Sequence, residues 1–238
     1  MECYPEVKYK TPDIDKMKTI FLSYPLTPNT PAYGNGKSLS IEPINRIDAG
    51  DSCNTSQLHF QNHLGTHVDC PKHFSQNGKT VTDYSAGFWT FMHPHIIDIS
   101  PLHPGHLIDP DDLGLSGVSE NADLLLIKTG FGKFRGDPVY WENNPGIHME
   151  VATAFRSRLP KLRMIGLDTI SISSFAHREA GRAAHRAFLA SRRPILLLED
   201  VDLEKVNSNT RLSRIVISPL RVEKADGVPC TVFAEIGT

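Results

Sequence analysis

Between Asn62 and Phe74 the chain reads NHLGTHVDCPKHF, which sets His63, His67, Asp69 and His73 within eleven residues, around a glycine, a threonine and a proline. The backbone that carries them is restricted first. A helix would place His63 and His67 on one face, but Gly65 and Thr66 between them and Pro71 just beyond disfavour a helix. A strand running into a turn is the expected form. Spacings of four, two and four then let His63, His67 and Asp69 converge through a tight glycine turn, with His73 nearby past a proline that stiffens the loop. Mixed imidazole and carboxylate ligation suits zinc or manganese. Taken singly, any of the chain's 11 histidines reads as a surface group or a hydrogen-bonded core group. Crowded together, such groups call for a cation to neutralise them.

The segments around this cluster suggest how it is held. The first part of the chain is rich in proline and glycine (SYPLTPNTPAYGNGKS) and offers only short strand-like runs, KTIFL, SLSIEPINRI and TSQLHF. From about residue 95 the texture changes to HIIDIS, DLLLIKT, RMIGLD and PILLLED, apolar runs of the kind expected for strands buried on both faces. Two segments of helical period lie among them. One carries Val151, Ala154, Phe155 and Leu159 at helical spacing, the other Ala180, Ala183, Ala184, Ala187 and Phe188. RIVISPL and CTVFAEIGT add two further strands, so the expectation is an α/β fold, residues 1–238 as a single domain, with a mixed β-sheet and flanking helices.

Charge and cysteine content narrow the partners. With 25 Lys plus Arg against 27 Asp plus Glu, no field is strong enough to hold a polyanion or an acidic membrane surface, so neither nucleic acid nor membrane is expected. MECYPEVKYK has no apolar stretch behind a basic start, and no later run reaches the roughly 18 apolar residues of a membrane span. The expected location is the cytoplasm. Cys3, Cys53, Cys70 and Cys230 form no C-x-x-C pair, and reduced thiols follow.

His63 to His73 also resembles the H-x-G-T-H-x-D-x-P-x-H pattern of the cyclase family of metal-dependent hydrolases, which includes kynurenine formamidase and isatin hydrolase. The similarity extends to LLLIKTGF, MIGLDTISI, AAHRAF and PILLLEDVDL, and so covers most of the chain. What the resemblance implies is a swivelling β/β/α fold, with His63, His67 and Asp69 on a first metal and Asp69 bridging to a second. By the same resemblance His185 and Glu199 complete the second site, His73 transfers protons, and the chain assembles as a homodimer or homotetramer. One or two ions per subunit are compatible with it. His177 competes with His185, but His185 flanks the apolar face at Ala184 and Phe188 and so can point inward. Glu199 closes PILLLE, where α/β sheets gather their ligands at strand carboxyl ends. Pro25 to Pro31 is the candidate arm between subunits.

The chemistry expected of such a centre is hydrolysis of an amide, lactam or related acyl bond in a small molecule, because a bound divalent ion lowers the pKa of water from about 15.7 to about 7. Phe88 and Trp89, with Tyr24 and Pro25, are candidates for an apolar wall that receives an aromatic substrate. Cys70 reads as a small buried side chain. Two other readings stand beside this one. A metal-binding protein of the same fold need not turn over a substrate. Gly130, Gly132 and Gly136 give a glycine pattern one residue off the dinucleotide-binding spacing, and no helix start follows it, so a loop near the active site is expected there.

Overall fold

The computed structural model describes residues 17–36 and 38–237, so Cys3 and the MECYPEVKYK stretch lie outside the described residues. In chain order the strands begin with β1 (Met17–Phe21), β2 (Ser40–Asn45), β3 (Thr55–His59), β4 (His67–Asp69), β5 (Thr90–Phe91), β6 (Pro94–Asp98), β7 (Leu107–Ile108) and β8 (Leu124–Lys128). The chain continues through α1 (Val139–Glu142), β9 (Gly146–Ile147), α2 (Glu150–Arg158), β10 (Met164–Leu167), α3 (Arg178–Leu189), β11 (Leu196–Glu199), β12 (Leu212–Pro219) and β13 (Gly227–Gly237).

The expected apolar runs form β6, β8, β10 and β11, and they pair in parallel in the order β6-β8-β10-β11. Beyond β11 the sheet turns antiparallel through β4, β13, β12 and β5, with β1 added on β13. β12 also packs against β6, so this mixed sheet curls toward a barrel.

Burial on both faces explains why the parallel strands are apolar without alternation. Leu124, Leu126, Met164, Leu196 and Leu198 face the inside of the curl, where Val68, Phe91 and Ile215 join them. Leu125, Ile127, Ile165, Leu167 and Leu197 face the other way and are covered by Val151, Phe155, Ala184 and Phe188 of α2 and α3. Phe155 and Phe188 are fully buried and meet edge to face at 6.2 Å. Truncating either to alanine would cost about 3–5 kcal/mol. Arg156 ties the two helices further by donating to the carbonyls of Ala187 and Phe188, acceptors that the end of α3 leaves free.

The buried face of α3 is rotated slightly from the alanine-centred stripe expected. It runs through Gly181, Ala184, His185 and Phe188, which puts an imidazole in the middle of a helix–sheet interface. On α2, Ala152 is buried in place of Ala154. Among the described residues β2 and β3 pair only with each other and stand off the main sheet, leaving Ile41, Ile44 and Leu58 exposed.

Candidate metal centre

β4 is three residues long, and register gives it its importance. Its alternation turns Val68 into the apolar inside of the curl and His67 and Asp69 to the α3 face. Glu199 of β11 lies directly opposite His67 in the antiparallel pair and so points the same way. His185 comes down onto this spot from α3. Its Nε2 is 3.6 Å from Asp69 Oδ2 and 3.5 Å from Glu199 Oε1, while His67 Nε2 is 3.4 Å from Asp69 Oδ1 and 3.3 Å from Glu199 Oε2. All four side chains are buried.

The other nitrogen of each ring is already engaged. His67 Nδ1 is 2.8 Å from the Gly65 carbonyl and His185 Nδ1 is 3.0 Å from the Gly181 carbonyl, which fixes both rings as Nδ1–H donors with Nε2 free to ligate. Glu199 Oε1 accepts from Ser171 Oγ at 3.0 Å and from the Ile172 amide at 2.7 Å. These hydrogen bonds orient the carboxylate before any ion arrives. Two glycines permit the approach. Gly65 takes φ +65° in the turn before β4, and a side chain at Gly227 would stand 2.3 Å from His63 Cε1.

His63 and His73 complete the cluster from its more open side. His63 Nδ1 is 2.7 Å from Asp69 Oδ1, and its Nε2 is 3.0 Å from Asp226 Oδ2. His73 follows the Pro71–His73 turn, and its Nδ1 is 2.8 Å from the same Asp226 oxygen. Asp226 reaches this position because the Cys70 amide donates to its carbonyl at the end of β4. Nothing in VEKADGVPC marks it beforehand, since an Asp-Gly pair reads only as a turn. Ser171 and Ser173 were equally silent in SISS.

Burial works against charge on His63, His67, Asp69, His185 and Glu199, and the opposite charges overcome it. Asp69 is held well below the usual carboxylate range by His63, His185 and His67, although burial alone would raise it. Glu199 is likewise lowered to about 2 by His185 and His67, against burial and the nearby Asp69 charge. The imidazoles respond in the opposite sense: burial disfavours their protons, yet the carboxylates raise His185 to about 10 and His63 to about 9. Two carboxylates therefore sit in a desolvated cage where adjoining positive charge is what favours their ionised form. A divalent cation supplies such charge, and the donor set of imidazole nitrogen and carboxylate oxygen fits zinc or manganese. His67, Asp69 and Glu199 offer ligand atoms all within 4.8 Å of one another, and so do His63, Asp69 and His73.

The cluster opens into a cavity of about 270 Å³, whose walls include Pro31, Tyr33, Phe74, Ile170 and Arg178. Phe88 and Trp89 are not among them, which corrects the expected aromatic wall. Both pack with Tyr84 on the inside of the curl, across the sheet from the metal-facing side of β4. Tyr24 is likewise elsewhere, lying under the Arg135 guanidinium at 4.0 Å. His177, the competing ligand, is exposed, and Cys70 is fully buried with its thiol pushed up by burial.

The glycine loop after β8 does not have the form of a phosphate cradle. The Thr129 amide, the Thr129 hydroxyl and the Gly130 amide all donate to the Asp168 carboxylate, at 2.8, 2.6 and 2.9 Å, so a protein carboxylate occupies the donor crown that an anion would need. The helix that follows is only four residues long. The loop instead braces the site: Arg135 pairs with Asp200, the neighbour of Glu199.

Much of the chain that builds this sheet is matched by the cyclase family. Its profile matches residues 20–174, and the chain belongs to that family. A kynurenine formamidase of Bacillus cereus is 30% identical over 217 residues, spanning 90% of this chain and 96% of the relative. One from Bacillus anthracis is 29% identical over 213 residues, spanning 89% and 94%. Among solved structures, an isatin hydrolase bound to the product analogue thioisatinate superposes with a TM-score of 0.78 at 19% identity over 94% of each chain. Isatin hydrolase A from Labrenzia aggregata gives 0.79 at 20% identity over 94% of this chain and 95% of its own. These structures share the fold. No helix among the described residues is long and apolar enough to cross a membrane.

Proposed function

We propose that the protein is a metal-dependent hydrolase that cleaves the acyl C–N bond of a small aromatic amide or cyclic amide, in the manner of an arylformamidase or an isatin hydrolase. The observation that carries this reading is the meeting of His67, Asp69, His185 and Glu199 in one buried cage with the His73–Asp226 pair at its open side. We assign His63, His67 and Asp69 to one ligand set and His185 and Glu199 to its extension across Asp69, holding one or two zinc or manganese ions per subunit. Bound there, a divalent ion supplies water acidified to a pKa of about 7 and polarises the substrate carbonyl. His73, with Nδ1 engaged by Asp226, keeps Nε2 to take a proton from the attacking water and deliver one to the departing amine. A metal-binding protein without turnover has no need of that pair.

The test is metal analysis of the purified protein, followed by hydrolysis assays on formanilide, isatin and simple lactams with the metal restored. Turnover of none of them by fully loaded protein would overturn the reading. We also read the chain as a cytoplasmic homodimer or homotetramer. The free thiols of Cys53, Cys70 and Cys230 support the compartment, and the exposed apolar side chains of β2 and β3 support the assembly. The Pro25–Pro31 segment is a weaker candidate for the arm, because Thr30 is buried, Leu26 packs on Gly65 and Pro31 lines the cavity.

A further inference from the structure

The cavity beside the metal cage has walls of three chemical kinds, and two of them are accounted for. The ligand set and His73 form the reacting side, and Phe74, Ile170 and the ring of Tyr33 give an apolar surface suited to a flat ring. Arg178 and Arg182 are the remainder. Neither is needed to bind a cation, and both would repel one.

The two arginines differ in their surroundings. Arg182 is paired with Glu179 one turn earlier on α3, so its charge is already answered. Arg178 has no carboxylate partner among the described residues. Its guanidinium lies over the Phe175 ring at 5.2 Å, and Phe175 in turn meets Tyr33 edge to face at 5.4 Å. Stacking of this kind holds a guanidinium in place while leaving its N–H groups free to donate. Helix electrostatics make the position a poor one for a cation, because Arg178 is the first residue of α3, where the macrodipole is positive. A structural arginine would be better placed at the other end. Beside it, burial keeps the Tyr33 hydroxyl protonated and thus a donor.

We propose that the substrate is an aromatic amide carrying a carboxylate on its amine portion, and that Arg178 receives this carboxylate, with the Tyr33 hydroxyl as a second donor. Arg178 is then the specificity-determining residue of the pocket. The inference rests on the amide-hydrolase reading of the same site. A cavity of about 270 Å³ lies near the small end of ligand clefts, which suits a single substituted ring and excludes a peptide. Planar guanidinium and carboxylate groups can pair through two parallel hydrogen bonds, so the geometry selects charge and orientation together.

The experiment compares formanilide with 2-, 3- and 4-formamidobenzoate on the metal-loaded protein, and measures binding of the corresponding aminobenzoates and of aniline by calorimetry. The expected result is that at least one formamidobenzoate is preferred over formanilide in kcat/KM by about tenfold or more, through KM, and that its aminobenzoate binds more tightly than aniline. Arg178→Ala should abolish that ratio in both measurements, Arg178→Lys should restore part of it, and Tyr33→Phe should reduce it. Arg186→Ala, on the exposed side of the same helix, should leave the ratio as it is. Equal use of neutral and anionic compounds by the wild type, or an unchanged ratio in Arg178→Ala, would overturn the inference while leaving the hydrolase reading intact. Arg178→Ala lowering both compounds alike would also overturn it, placing Arg178 with the shared part of the substrate. No turnover of any anilide would instead remove the reading beneath it.

Discussion

His73 Nδ1 lies 2.8 Å from Asp226 Oδ2, across 153 residues of sequence, and the same oxygen is 3.0 Å from His63 Nε2. One carboxylate thus steadies a proposed ligand and a proposed proton carrier together. If His73 moves protons and does not ligate, His73→Ala should keep its metal and lose about 10²- to 10⁴-fold in kcat, with a smaller change in KM. Asp226→Asn retains an acceptor but not the charge, and should fall between that variant and the wild type. A metal-free His73→Ala protein would make His73 a ligand and reverse the division of roles.

The cage itself can be dissected by counting ions. His67→Ala and Asp69→Ala each remove a ligand atom from the centre of the cluster, so elemental analysis should find both variants stripped of metal. Glu199→Gln keeps shape and one acceptor but removes a buried charge. If two ions are bound, it should lose one of them selectively; if one is bound, its affinity should fall without abolition. Full metal retention in His67→Ala and Asp69→Ala would defeat the assignment.

Much of this was legible in the sequence, and the limits have a physical pattern. The strand-and-turn form of NHLGTHVDCPKHF followed from Gly65 and Pro71, because backbone preference acts locally. β6, β8, β10 and β11 announced themselves by apolar content, since strands covered on both faces need nothing else. Asp226, Ser171 and Tyr33 carried no such signal. Each reaches the site through pairing between distant segments, and Asp and Ser are ordinary in loops. Phe88 and Trp89 failed for a related reason: aromatic character marks burial, and only the register of the sheet decides on which face.

The β2–β3 ribbon provides a test of assembly. Ile44, Ile47 and Leu58 are 59, 58 and 55% exposed, aliphatic side chains whose contact with water is unfavourable. Light scattering at micromolar concentration should give a multiple of the chain mass for the wild type. Replacing Ile44 and Leu58 together by serine should shift it toward the monomer with the fold retained by circular dichroism. A monomeric wild type would count against the assembly.

Gly181→Ala sets two effects of known size against each other on α3. Alanine should favour the helix by about 1 kcal/mol, since glycine is the poorest ordinary residue in a helix interior. Its Cβ, however, would stand 2.1 Å from Ser173 Oγ, 2.5 Å from Ser173 Cβ and 2.8 Å from Ser173 Cα, so rotation of one side chain cannot relieve the contact. Overpacking of this kind costs about 1–3 kcal/mol, and the steric term should win. The displacement has a functional consequence because His185 lies one turn further on and bonds back to the Gly181 carbonyl. A helix pushed off Ser173 therefore carries the imidazole away from Asp69 and Glu199. Gly181→Ala should lower the denaturation midpoint and weaken metal binding together. Gly136→Ala, where an added Cβ meets nothing within 4 Å, should change neither. A Gly181→Ala protein with unaltered metal affinity would show that α3 can yield without moving His185.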